Sequence, residues 1–210
     1  YRRAPALSLA RELISEGRLG RIYHVRAVYL QDWIMDPDFP LVWRLQKKIA
    51  GSGSHGDLNA HLIDLTRFLL GTEFDEVCGM AETFIKERPI EISGGGLAAG
   101  KVAKKKGKVD VDDAVLFLTK FKNGAIGTIN TMTCAYPGLA TELFIQGERG
   151  SIEKTDGDIR TWRIQAETKE AEQAEQAEVL AQHGPKEKRS SLSSDPMALN
   201  WRGHRVQVED

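Results

Sequence analysis

The sequence predicts an α+β fold, an open and mainly antiparallel β-sheet with helices on one face. Two segments with helical spacing of apolar residues stand early in the chain, at Ala6–Ser15 and Ser54–Leu70. After Gly71 come strand-like runs in succession. No helical pattern alternates with those runs, as a parallel, doubly wound sheet would require.

The elements follow in order. Leu7, Ala10, Leu13 and Ile14 recur at helical intervals, and Gly17 and Gly20 end the pattern. Arg21–Leu30 alternates apolar and polar residues, as a strand with one wet face does. Gln31–Arg44 holds Pro37, Pro40, Trp33 and Trp43 and reads as an irregular loop, because the prolines oppose both helix and sheet. Ser54 is a candidate helix cap, Leu58, Leu62, Leu65 and Leu69 form one stripe, and Gly71 supplies the stop. A strand is expected over Phe74–Ile85, and a flexible surface excursion over the glycine- and lysine-rich stretch Ile92–Val109. Asn123-Gly124 between the apolar runs Asp113–Phe121 and Ala125–Cys134 marks a hairpin with positive φ. Gly147-Glu148-Arg149-Gly150 marks a second hairpin, between Thr141–Ile145 and Ser151–Thr155, and Ile159–Gln165 reads as another strand. Glu167–Gln182 reads as a solvated helix without an apolar stripe.

Composition narrows the function. A chain of 210 residues can bury one core, and residues 1–210 are read as one domain. The formal charge of -1 gives no basic field for nucleic acid. No apolar run approaches the ~20 residues that span a bilayer. Tyr1-Arg2-Arg3-Ala4-Pro5 has no initiator Met and no signal-peptide core, so the chain reads as part of something longer. Cys78 and Cys134 are expected to be reduced, buried small hydrophobes of a cytoplasmic protein.

One segment carries chemistry: Gly51–Gly71, GSGSHGDLNAHLIDLTRFLLG. Asp57, His61 and Asp64 lie at i, i+4 and i+7, which places them on one helical face. An imidazole exchanges a proton near neutrality, and a carboxylate one turn away can orient it. On spacing alone, an Asp and a His one turn apart are more often a surface pair. Gly51, Gly53 and Gly56 match GxGxxG, but the charged run Arg44–Ala50 precedes them instead of a buried strand. A dinucleotide site is therefore rejected, and no residue is assigned to cofactor or metal. His55, Asp57, His61 and Asp64 could as a set ligate a metal, although no HExxH pattern accompanies them.

The segment resembles the catalytic helix of the Gfo/Idh/MocA family, which includes glucose-fructose oxidoreductase and inositol 2-dehydrogenase; Asp57, His61 and Asp64 fall on its Asp-x-x-x-His-x-x-Asp positions. Tyr1-Arg2-Arg3, Gly20-Arg21-Ile22, Trp43-Arg44, Phe121–Ala125 and Gly147–Ile152 look like further parts of that family's C-terminal domain, and His204–Asp210 like the start of its last helices. The resemblance implies a glyceraldehyde-3-phosphate dehydrogenase-like C-terminal fold. It also implies that an N-terminal Rossmann domain and the final helices lie outside this chain. It implies NAD or NADP as cofactor, bound mainly by that other domain, and a sugar or polyol such as inositol as substrate. A homo-oligomer formed through the sheet is a further implication. In this reading Asp57 and His61 are catalytic, and Asp64 is structural, paired with Arg67. Trp33, Trp43, Arg44 and Tyr136 are candidates for the substrate wall. Two alternatives stay open: a metal-dependent, non-redox enzyme of the same fold, and a structural oligomerisation domain.

Overall fold

The computed structural model describes residues 1–93, 101–135, 140–155 and 158–164, with short pieces at 173–174, 177–178, 200–201 and 204–205. Helix α1 spans Pro5–Ser15, with proline in its first turn, where a missing N–H costs nothing. Strand β1 spans Ile22–Leu30. After a 3₁₀ turn at Trp43–Leu45 come a short helix α2 (Lys47–Ala50), a π turn (His55–Asn59) and helix α3 (Ala60–Leu70). The strands that follow are β2 (Phe74–Glu82), β3 (Glu87–Ser93), β4 (Lys101–Lys108), β5 (Ala114–Phe121) and β6 (Ile126–Met132). They continue with β7 (Ala140–Gly147), β8 (Gly150–Thr155), β9 (Asp158–Ile164), β10 (Asn200–Trp201) and β11 (His204–Arg205).

The main sheet has seven strands in the order β2-β5-β6-β1-β7-β8-β9. All its ladders are antiparallel except β1 with β6, so the expected architecture holds with one parallel pair at its centre. Helices α1 and α3 cover one face. Leu7, Ala10 and Leu13 of α1 and Leu62, Leu65 and Leu69 of α3 are buried against Val25, Ala27, Ile129, Leu143 and Ile145. Each such leucine contributes roughly 2 kcal/mol on burial, against at most ~0.7 kcal/mol for an ordinary helix-propensity difference. Packing therefore fixes α3. Gly71 stops it in the left-handed conformation, φ 62, with its N–H bonded to the Arg67 carbonyl. Gly124, φ 88, turns the β5–β6 hairpin as its Asn-Gly pair predicts.

The structure corrects several expectations. Strand β2 stops at Glu82, not Ile85, because Asp113 Oδ2 accepts the N–H groups of Phe84 and Ile85 and pulls the chain off the sheet edge. The lysine-rich part of Ile92–Val109 is not a bare excursion. Strand β4 pairs antiparallel with β3, and its Lys104, Lys105 and Lys106 are exposed, as edge lysines are. Cys78 is exposed, since it lies on the sheet face that no helix covers; Cys134 is half-buried, and both are free thiols. His204–Arg205 pairs with Asn200–Trp201 as a strand and does not begin a helix. Gln173-Ala174 and Ala177-Glu178, within the expected Glu167–Gln182 helix, are helical; the rest of it lies outside the described residues. No helix among the described residues is long and apolar enough to cross a membrane.

Candidate active site

The site is built where the glycine loop meets α3. Ser54 does not cap the helix. It already has helical φ and ψ, and its buried hydroxyl donates to Thr131 Oγ1 of β6 at 2.9 Å. The capping acceptor is instead Asp112, which takes the N–H of Gly53 at 2.9 Å and that of His55 at 2.6 Å. Its backbone carbonyl accepts from Ser54 N–H at 3.0 Å. Gly53 lies so close to this carbonyl that a Cβ there would stand 2.0 Å from it. The helix then opens with a π turn, in which each N–H reaches one residue further back than in an α-helix. Asp57 sits in that turn and His61 in the first α turn.

Asp57 lines a cavity of about 190 Å³. The aromatic part of its wall is Trp33 and Trp43, and Arg44 stands between Trp43 and Asp57. The Arg44 guanidinium lies 4.6 Å from the Trp43 ring centre, and its Nη1 is 3.5 Å from Asp57 Oδ1. Arg44 Nε is buried, with no hydrogen-bond partner among the described residues. Three of the four expected wall residues thus meet at one cavity with Asp57; Tyr136 lies outside the described residues. His61 is not in that wall. It is exposed on the next turn, with its ring edge-on to Tyr1 at 4.8 Å between centroids. Asp64 pairs with Arg2, Nε to Oδ2 at 2.7 Å and Nη2 to Oδ1, while Arg67 pairs with Glu73; the expected Asp64–Arg67 pair gives way to these two forked pairs. Arg2 holds the Asp64 carboxyl below its ordinary range, through that hydrogen bond.

The loop that carries Trp33 is held from below by a residue that sequence reasoning missed. The fully buried Arg88 donates to the carbonyls of Ile34, Asp36 and Phe39. Burial draws its pKa down, and the nearby Asp113 opposes that. Around it Ile34, Val42, Leu45, Val109 and Val111 form a second apolar cluster that floors the site. Asp112 was missed too, because a cap supplied from 59 positions away leaves no local motif.

A nicotinamide dinucleotide has no phosphate cradle here. Helix α2, not a strand, precedes the glycines, and the N–H groups of Gly53 and His55 that a pyrophosphate would need are taken by Asp112. Among the described residues no three of His, Cys, Asp and Glu are grouped so as to hold a metal ion.

Comparison with known proteins defines the class. The profile described as the GFO/IDH/MocA C-terminal domain matches residues 7–153. The chain belongs to the Gfo/Idh/MocA family. It is 47% identical over 156 residues to levoglucosan dehydrogenase of Pseudarthrobacter phenanthrenivorans, covering 72% of this chain and 40% of the relative. Among solved structures, an oxidoreductase domain protein from Kribbella flavida superposes with a TM-score of 0.73 at 43% identity, covering 81% of this chain and 44% of the other. Levoglucosan dehydrogenase in complex with NADH and levoglucosan superposes with a TM-score of 0.70 at 38% identity, covering 81% and 43%. The chain thus spans about two-fifths of the length of these relatives.

Proposed function

We propose that this chain supplies the substrate cavity and the proton acceptor of an NAD(P)-dependent dehydrogenase that oxidises a hydroxyl of a sugar or polyol. The observation that carries this reading is the meeting of Trp33, Trp43, Arg44 and Asp57 at one cavity on the helix of His61. Tryptophan faces suit the C–H face of a sugar ring, and a flanking cation and carboxylate suit its hydroxyls. Asp112 is already occupied by two N–H groups, so Arg44 and Asp57 face the cavity as a compensated pair. That balance favours a neutral sugar over a sugar acid. Levoglucosan, bound by a relative 38% identical in sequence, is such a compound, and it is the probe we choose.

In this reaction His61 takes the hydroxyl proton. A nicotinamide bound alongside the substrate would supply the hydride acceptor for the same carbon, so that C–H and O–H would break as C=O forms. Asp57 orients the hydroxyl and offsets the positive charge that His61 gains. Arg44 directs the Asp57 carboxylate toward the cavity through its ion pair.

In the full-length protein, His61→Asn should lower kcat for levoglucosan by ~10²–10⁴, the range for loss of a general base. Asp57→Asn should cost less, because an amide still orients but carries no charge. A His61→Asn variant with near-normal kcat would falsify the assignment.

A further inference from the structure

The proposed base, His61, is held by no side-chain hydrogen bond among the described residues, and its ring stands exposed on α3. A base must be held within a few tenths of an ångström of its proton, and a 1 Å error can cost ~10²-fold. Among the described residues its ring neighbour is Tyr1, edge-on at 4.8 Å and 75°. Tyr1 is itself tied down. Its hydroxyl lies 3.0 Å from that of Tyr29 on β1, and Gln31 Nε2 donates to the same Tyr29 hydroxyl at 3.1 Å. Gln31 is locked through its backbone, with N–H to Met132 O at 2.8 Å and C=O to Ala135 N–H at 2.9 Å. The next residue, Arg2, forks onto Asp64, three positions beyond His61 on α3, and its guanidinium lies 5.2 Å from the Phe68 ring centre.

We propose that Tyr1, Arg2 and Asp64 form a clamp that orients His61. Arg2 and Asp64 pin the N-terminal segment to α3, and the Tyr1 ring, tethered to β1 through Tyr29, restricts rotation of the imidazole. These are positioning residues, and the proposal rests on the reading of His61 as the base. The Tyr1 hydroxyl is pushed up to about 12, by burial first and then by its bond to Tyr29, so it stays protonated and anchored throughout the neutral range. Asp64, structural by sequence, becomes functional at one remove.

The test is a double-mutant cycle in the full-length protein with NAD and levoglucosan. Tyr1→Ala should lower kcat about tenfold with little change in KM, the pattern of a group felt only in the transition state. Tyr1→Phe, which keeps the ring, should recover most of that loss. On a His61→Asn background, Tyr1→Ala should cost nothing further, because its effect runs through His61. An equal loss on both backgrounds, or no loss on either, overturns the clamp while leaving the base assignment standing; a His61→Asn variant of normal kcat removes the base assignment itself. Arg2→Lys, which keeps the charge but not the fork, serves if Tyr1→Ala fails to fold. A second measurement needs no turnover. NMR relaxation of the histidine ring in full-length protein should show His61 ordered in the wild type and mobile in Tyr1→Ala. Equal mobility in both overturns the proposal.

Discussion

At the scale of single residues, the Asp64 carboxylate carries a signature in pH. Arg2 makes Asp64 more acidic in the folded chain than the ordinary value of 3.8. Its contribution is therefore full at neutral pH and is lost as pH falls through the folded value. Asp64→Asn should lower the urea midpoint at pH 7, and the difference from wild type should shrink below about pH 4. The effect is modest, because both side chains are about half exposed. A difference that stays constant down to about pH 2 would mean that the pair is not formed. Residues are also where the sequence was least legible. Asp57 and His61 stood out through spacing and resemblance, and Trp33, Trp43 and Arg44 through an aromatic loop that contains two prolines. Arg88 and Asp112 did not, since each acts on backbone groups more than 45 positions away. The exposure of Cys78 was hidden for a related reason. An apolar strand reads alike whether its face is covered or bare.

At the scale of elements, the segment Asp110–Asp113 is the organiser. Asp110 accepts the N–H of Lys47, Asp112 those of Gly53 and His55, and Asp113 those of Phe84 and Ile85. One short stretch thus ends β2, starts α2 and shapes the turn that presents Asp57. Gly53 makes the approach possible. Gly53→Ala should destabilise the protein by about 1–3 kcal/mol, since the new Cβ would press on a backbone oxygen and not on a mobile side chain. Gly56→Ala should cost less, because its nearest obstacle is the Ser52 hydroxyl. Thermal melts of the two variants decide; equal melting points would contradict this packing. The elements themselves were legible where local physics dominates: the stripe of α3, the Asn-Gly hairpin and the glycine stop at Gly71. The π turn was not, because its register comes from Asp112 and Thr131, both remote in sequence.

At the scale of the molecule, the uncovered sheet face stands out. Met80 of β2, Leu116 and Leu118 of β5 and Ile126 of β6 are all exposed on it, with Cys78 beside them. A second copy is the expected cover, and Leu118→Lys, placed at its middle, should shift light-scattering mass toward the monomer while leaving the melting temperature of the fold nearly unchanged. A wild-type protein that stays monomeric at high concentration would count against that role for the face. The placement of β1 has a last consequence, in time. It lies between β6 and β7, and both leave the ribosome roughly a hundred residues after it, about 5–20 s at ordinary rates of synthesis. Through that interval Val25 and Ala27 have no strand to pair with, and the nascent segment could join a neighbouring chain instead. Arg21, His24 and Arg26 punctuate the same stretch, as charges do beside aggregation-prone runs. In the finished sheet Arg26 meets Glu142 of β7, the strand that arrives last beside it, and the two stand 3.1 Å apart.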